Sequence, residues 1–270
     1  MVKYAGAAEA LVGVGYARVQ ITGHQRGTLA RVRAEAARFF GRSDAEKRAY
    51  GSEDFNFGFR PYGRQYSIAP DRPDMNESFT FWGEDPVTIP RHHEIGTFAD
   101  ALRAYRATAA ELAEAILGQL AAHFSCPSVL SFGSASYLEI NWYLQAGDRS
   151  LLQDRHEDGH LLTLVTSDGP GLEIDVGGQM QPVSFQRGDL LAMPGSLLTD
   201  MTGGAVPPLF HQVRNHHLRR RMSVLYLVNP QLDNPVEPYV VTDYNRGVDI
   251  ARRARTNGAM FGLPKAPVLP

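Results

Sequence analysis

The stretch Tyr137-Leu138-Glu139-Ile140-Asn141-Trp142-Tyr143-Leu144 decides the fold class of this chain. Successive side chains of a strand point to opposite faces. Leu138, Ile140, Trp142 and Leu144 therefore share one face, and Glu139, Asn141 and Tyr143 share the other. That alternation predicts a half-buried strand with a polar side. Downstream, residues 156–165, 183–185, 190–193, 209–213 and 221–228 read as further strands. Turn signals such as Asp168-Gly169-Pro170-Gly171 and Gly177-Gly178 separate them. Many short strands behind bracing helices predict a mainly β protein with flanking helices and a double-sheet jelly-roll core.

Upstream the period changes to helical. Residues 5–12 are a short helix candidate and residues 12–21 turn extended. Leu29, Val32, Ala36, Phe39 and Phe40 follow helical spacing, with Gly41 as the stop. Ser43-Asp44-Ala45-Glu46 is a capping box that opens another short helix. Residues 51–96 are rich in Gly, Pro, Tyr and Phe with little period, which predicts irregular or short-stranded covering structure. Apolar positions from Phe98 to Phe124 trace one stripe, a helix of roughly 40 Å at about 1.5 Å per residue, expected to brace a sheet. Residues 243–259 again read as helical, with Arg252, Arg253 and Arg255 expected in solvent. This organisation predicts a single domain over 1–270, with a helical and covering region at 1–126, a β core at 127–230 and a tail and cap at 231–270.

At 270 residues and 43 % hydrophobic, the chain can bury a substantial core. Its net charge of −2 creates no field that invites nucleic acid or an anionic membrane. The oligomeric state stays open. The single cysteine, Cys126, excludes an intrachain disulfide and suits a reducing compartment. Gly6, Gly13, Gly15 and Arg18 interrupt the first apolar stretch, so neither a signal peptide nor a membrane span is expected, and the expected location is cytoplasmic.

The chemistry concentrates in three places. His156-Glu157-Asp158 and the distant His211 make a two-histidine, one-carboxylate set, the facial arrangement that holds non-haem Fe(II) and leaves coordination positions open. Strand parity places His156 and Asp158 on one face, with Glu157 turned away. In Arg221-Met222-Ser223, parity also aligns Arg221 with Ser223, and a guanidinium beside a hydroxyl receives a carboxylate. His160 shares the parity of 156 and 158, which leaves a ligand role open, but reads first as a core histidine or one supporting the ligands. His216 and His217 lie among Arg214, Asn215, Arg219 and Arg220, a composition that predicts a solvated turn.

With these residues the chain resembles the isopenicillin N synthase-like family of Fe(II)/2-oxoglutarate oxygenases, built on a double-stranded β-helix. The matching points run nearly end to end. They include Gly15-Tyr16, Gly23-His24, Phe39-Phe40, Glu46-Lys47, Glu77-Ser78-Phe79 and Asn141-Trp142-Tyr143. After these come His156-Glu157-Asp158, Gly188-Asp189-Leu190-Leu191, His211-Gln212-Val213 and Arg221-Met222-Ser223. The resemblance implies that His156, Asp158 and His211 ligate Fe(II). It implies that Arg221 and Ser223 hold the distal carboxylate of 2-oxoglutarate, with Tyr143 and Asn141 facing that cosubstrate, and that dioxygen is consumed. Asp154-Arg155 before the first ligand, and His160 after it, depart from the family pattern.

The implied reaction couples decarboxylation of 2-oxoglutarate to succinate with hydroxylation, desaturation or cyclisation of a small molecule in secondary metabolism. Arg60, Tyr62, Arg64, Tyr66, Phe79, Phe81 and Phe261 are candidate substrate contacts, and the arginines would favour an anionic substrate. An oxidase that needs no 2-oxo acid and a non-catalytic jelly roll that binds a metal or an acid are the alternatives.

Overall fold

A computed structural model of the chain describes residues 6–256 except 70, 83–90, 127–134, 146 and 232–234. The first helix, α1 (Ala7–Val14), leads into strand β1 (Ala17–Gln20). Helix α2 (Gly23–Phe40) opens on a capping box in which Thr22 and Gln25 satisfy each other's backbone N–H groups. Helix α3 (Asp44–Arg48) opens on the predicted Ser43–Glu46 box. Strands β2 (Gly58–Arg60) and β3 (Asn76–Phe81) follow, then the long helix α4 (Gly96–His123).

The β half comprises β4 (Tyr137–Leu144), β5 (Leu151–His156), β6 (Leu162–Ser167), β7 (Leu172–Val176), β8 (Gln179–Pro182) and β9 (Asp189–Pro194). A short helix α5 (Ser196–Met201), β10 (His211–Arg214), β11 (Arg220–Val228) and α6 (Ile250–Thr256) complete it. Among the described residues, seven strands form one antiparallel sheet in the order β1-β9-β6-β11-β4-β3-β2, and four form a second in the order β5-β10-β7-β8. This is the expected double-sheet architecture.

The alternation in β4 sorts side chains between two environments. Leu138, Ile140 and Trp142 join the large core with Leu102, Ala109, Leu112 and Ile116 of α4, while Glu139, Asn141 and Tyr143 line a cavity. Helices α2 and α4 thus cover the outer face of the large sheet, as the apolar stripe predicted. A smaller core of Val165, Leu172, Ile174, Leu191 and Met193 involves both sheets.

Several expectations need correction. The covering segment is not wholly irregular, because β3 is buried along its full length and pairs directly with β4. The N-terminal region therefore supplies β1, β2 and β3 to the main sheet. Phe79 and Phe81, expected at the substrate, belong to the helix-side core instead. Phe79 packs at 5.0 Å from Phe39 and 4.9 Å from Phe98, ring to ring. On the same face Glu77 meets Lys47 at 2.6 Å, a buried ion pair that joins two matching points to which no role had been assigned.

The run at 156–165 is not one strand, for β5 ends at His156 and β6 starts at Leu162. The strand expected at 183–185 lies earlier, at β8, and β7 is a strand beyond those expected. Arg253 is not simply solvated, since it donates to both oxygens of the buried Asp200 at 2.7 and 2.6 Å. Among the described residues no helix is long and apolar enough to cross a membrane.

Candidate metal centre

His156 ends β5 and His211 begins β10, and the two are direct cross-strand partners. Their rings lie 4.2 Å apart, centroid to centroid. Asp158 arrives by a different route from the one parity predicted. The chain leaves the strand after His156, and residues 157–161 form a loop seated on α5. Ser196 N donates to Asp158 O at 2.9 Å, and Gly195 N donates to Leu161 O at 3.2 Å. Asp158 Oδ1 then sits 3.9 Å from His156 Nε2 and 3.8 Å from His211 Nε2. One ligand atom from each of the three residues lies within 4.8 Å of the others.

The donor chemistry fits a divalent cation. His156 Nδ1 bonds to Asp154 O at 2.7 Å and His211 Nδ1 bonds to Leu209 O at 3.1 Å. Each Nδ1 therefore carries the proton, which leaves the Nε2 lone pairs facing Asp158. Thr163 donates to Asp158 Oδ2 at 2.5 Å and orients the carboxylate. Burial, with His211 beside it, lowers the His156 imidazole to about 4, so it is neutral at neutral pH. Burial pushes the Asp158 carboxyl up, but His211, His156, His160 and the Thr163 bond outweigh it, and the net shift is downward.

Gly195 is required by the loop. A Cβ there would lie 2.2 Å from His160 O and 2.6 Å from Asp158 O, both backbone atoms that cannot swing aside. Gly195→Ala should cost about 1–3 kcal/mol through overpacking and displace Asp158. A lower Tm and weaker metal retention in equilibrium dialysis would report it; an unchanged Tm would count against this packing.

The expected cosubstrate residues share the cavity with the cluster. Arg221, Ser223, Tyr143 and Asn141 all line it, as do Gln153 and the apolar Val165, Leu172, Met193 and Val213. Arg221 is only 2 % exposed. Its Nε donates to Pro170 O at 2.9 Å and its Nη1 to Ser223 Oγ at 2.7 Å, and its guanidinium lies 5.0 Å from the Tyr143 ring centroid. Tyr143 donates to Gln153 Oε1 at 3.0 Å, and Gln153 Nε2 in turn donates to Asp74 Oδ2 at 3.3 Å.

Burial raises the Asp74 carboxyl to about 7, against the Ser67 bond and helped by the charges of Glu139 and Asp154. A folded-state value above the ordinary 3.8 means stability that is present below pH 3.8 and lost as pH rises towards 7. Asp74→Asn should remove that loss, which is about 4 kcal/mol at most. Melting curves of the variant and the parent should therefore diverge in the variant's favour between pH 4 and pH 8, and parallel curves would refute the assignment.

Of the expected substrate contacts among the described residues, only Tyr66 lines the cavity. Arg60 is buried against Phe55 O, to which Nε and Nη2 donate at 3.1 and 3.0 Å. Arg64 is exposed and stacks over Phe55 at 5.8 Å, and Tyr62 is exposed. Phe261 lies outside the described residues. Neither arginine lines the cavity, because Arg60 at the end of β2 is held by a backbone carbonyl and Arg64 lies over the Phe55 ring. His160 Nε2 lies 3.1 Å from Tyr137 Oη, and His160 is not part of the three-residue cluster. Glu139, Gln65 and Tyr137 line the cavity without having been singled out. The parity of β4 held the signal for Glu139, two residues before Asn141.

No protein-family profile matches the chain. It is 30 % identical over 112 residues to gibberellin 3-beta-dioxygenase 2 of Arabidopsis thaliana, covering 39 % of this chain and 32 % of that enzyme. It is 25 % identical over 254 residues to gibberellin 2-beta-dioxygenase 4 of the same organism, covering 85 % of this chain and 76 % of that enzyme. The first match thus spans about a third of its relative. The crystal structure of JOX2 in complex with 2OG, Fe and JA superposes with a TM-score of 0.74 at 17 % identity, covering 88 % of this chain and 75 % of that one. The chain is thus a double-stranded β-helix protein built like the Fe(II)/2-oxoglutarate dioxygenases.

Proposed function

We propose that the protein is an Fe(II)/2-oxoglutarate-dependent dioxygenase that oxidises a small molecule. The observation that carries this reading is the coexistence, in one cavity, of the His156/Asp158/His211 cluster and the buried Arg221–Ser223 pair. His156, Asp158 and His211 would hold the iron, which when bound supplies dioxygen activation coupled to decarboxylation of 2-oxoglutarate.

The remaining work falls to the chain's own residues. Arg221 offers a guanidinium whose charge-assisted bonds favour a carboxylate, and Ser223 adds a hydroxyl beside it. The ring of Tyr143 fixes the guanidinium plane by cation–π contact. Val165, Leu172, Met193 and Val213 form a dry wall around the aliphatic part of such a diacid. His160 Nε2 and Tyr137 Oη hold each other at 3.1 Å, so that ring nitrogen is spent on a hydrogen bond. The outcome for the substrate is hydroxylation, with desaturation or ring closure as variants of the same hydrogen abstraction.

Oxygen uptake and succinate release, measured with and without 2-oxoglutarate, test the proposal. Succinate formed in proportion to oxygen consumed, and only when both Fe(II) and 2-oxoglutarate are present, is the expected result. Oxygen uptake that ignores 2-oxoglutarate would support an oxidase instead.

A further inference from the structure

The oxygenase reading leaves the substrate open, and the inference drawn here rests on that reading. In the pairing of β4 with β11, Tyr143, Asn141, Glu139 and Tyr137 stand opposite Arg221, Ser223, Leu225 and Leu227 in turn. Each step of two residues is about 6.6 Å along the strand. Arg221 and Tyr143 therefore mark one end of the cavity, and Glu139 and Tyr137 lie towards the other.

At that other end the covering segment brings in Gln65 and Tyr66. Gln65 Nε2 donates to Glu139 Oε1 at 3.1 Å. Its own carbonyl accepts from Asn76 Nδ2 at 3.4 Å, and Asn76 also donates to Asn141 Oδ1 at 3.0 Å. The amide is thereby locked, and it fixes the Glu139 carboxylate in one orientation. Glu139 Oε2 has its nearest cation in Arg60 Nη1, 3.8 Å away and beyond hydrogen-bond reach. Arg60 does not line the cavity, though its charge offsets that of Glu139. Among the described residues that line the cavity, Arg221 is the only arginine or lysine.

A ligand that enters above the iron while Arg221 is occupied therefore meets a carboxylate oxygen, with no cation in front of it. We infer that Glu139 is a specificity-determining residue and that the prime substrate turns an N–H donor, on an amide or an amine, towards it. A carboxylate in the same place would set acceptor against acceptor at Glu139 Oε2, with Arg60 already paired to Glu139 and absent from the cavity lining. The anionic substrate expected from Arg60 and Arg64 is accordingly disfavoured.

Three probes of one size test this: benzylamine, benzamide and benzoate. Each is titrated calorimetrically into anaerobic protein saturated with Fe(II) and 2-oxoglutarate, so that Arg221 is occupied. The visible charge-transfer absorption of the iron–2-oxoglutarate chelate is recorded first. If it fails to form, the oxygenase reading falls; if it forms, the probes judge Glu139 alone. Benzylamine and benzamide should bind the parent protein at least about tenfold more tightly than benzoate. Glu139→Gln should lose about tenfold for benzylamine, while benzamide, which the glutamine carbonyl can still accept from, stays within about threefold. Benzoate binding as tightly as the amine in the parent protein would overturn the inference. So would indifference among the three, silence of all of them included. The parent protein's own preference keeps the test decisive should the variant misfold.

Discussion

Asp158→Ala is expected to abolish succinate release coupled to oxygen uptake and to weaken Fe(II) binding by more than about 100-fold. Loss of residues that merely orient ligands already costs about 10–100-fold in metal affinity, and Asp158 is the one anionic member of the proposed ligand set. Two neutral imidazoles cannot neutralise a divalent ion in a buried site, and in the variant the carboxylate that faces both Nε2 atoms at 3.8–3.9 Å is gone. The fold should survive at a modest cost, because the variant loses the Thr163 bond and the contacts of one carboxylate while the surrounding core is unchanged. The metal-free variant should keep the parent's Tm to within about 4 °C. Calorimetric Fe(II) titration under anaerobic conditions, with succinate and oxygen measured together, checks the prediction. Coupled turnover at the parental rate would show that these three side chains are not the ligand set.

Arg221→Ala should raise the dissociation constant for 2-oxoglutarate by about tenfold to a hundredfold, since a hydrogen bond to a charged group contributes about 1.5–3 kcal/mol. The reason is specific to the site. Arg221 is buried, held by Pro170 O and Ser223 Oγ, and seated over Tyr143, so it meets a ligand already desolvated and oriented. Truncation removes the cation and leaves Ser223 to bind the carboxylate alone. Arg221→Lys should fall between, because an ammonium keeps the charge but not the planar fork. Succinate release as a function of 2-oxoglutarate concentration reads the effect as a rise in KM larger than any fall in kcat. An unchanged KM would remove Arg221 from the cosubstrate site.

How much of this was legible beforehand differs from residue to residue. His156, Asp158, His211, Arg221 and Ser223 stand out by residue type and order, and all five line one cavity. Strand parity is nevertheless not what brings Asp158 beside His156; a loop folded against Gly195 and Ser196 carries it there. Both routes end with the carboxylate next to the imidazole, because a short H-x-D spacing allows little else. The substrate contacts fared worse. Arg60, Tyr62, Arg64, Phe79 and Phe81 sit in a segment buried on both sides or exposed at its rim, so no polar–apolar alternation reveals which side chains face the cavity. The facing of β3 is imposed by its partner β4, which lies some 60 residues along the chain.

The chain's own pattern determined the elements and their chemistry: period-two alternation in β4, helical stripes in α2 and α4, capping residues at Thr22 and Ser43, and two histidines, a carboxylate and a guanidinium in fixed order. Those properties are local, set by backbone geometry and side-chain type. The tertiary structure alone decided which polar groups meet: Lys47 with Glu77, Gln153 with Asp74, Gln65 with Glu139, and Arg60 turned from the cavity to Phe55. Such partners are chosen by burial. A polar group removed from water must find a hydrogen bond or a counter-charge wherever the packed sheets bring one, and distance along the chain does not say where that will be.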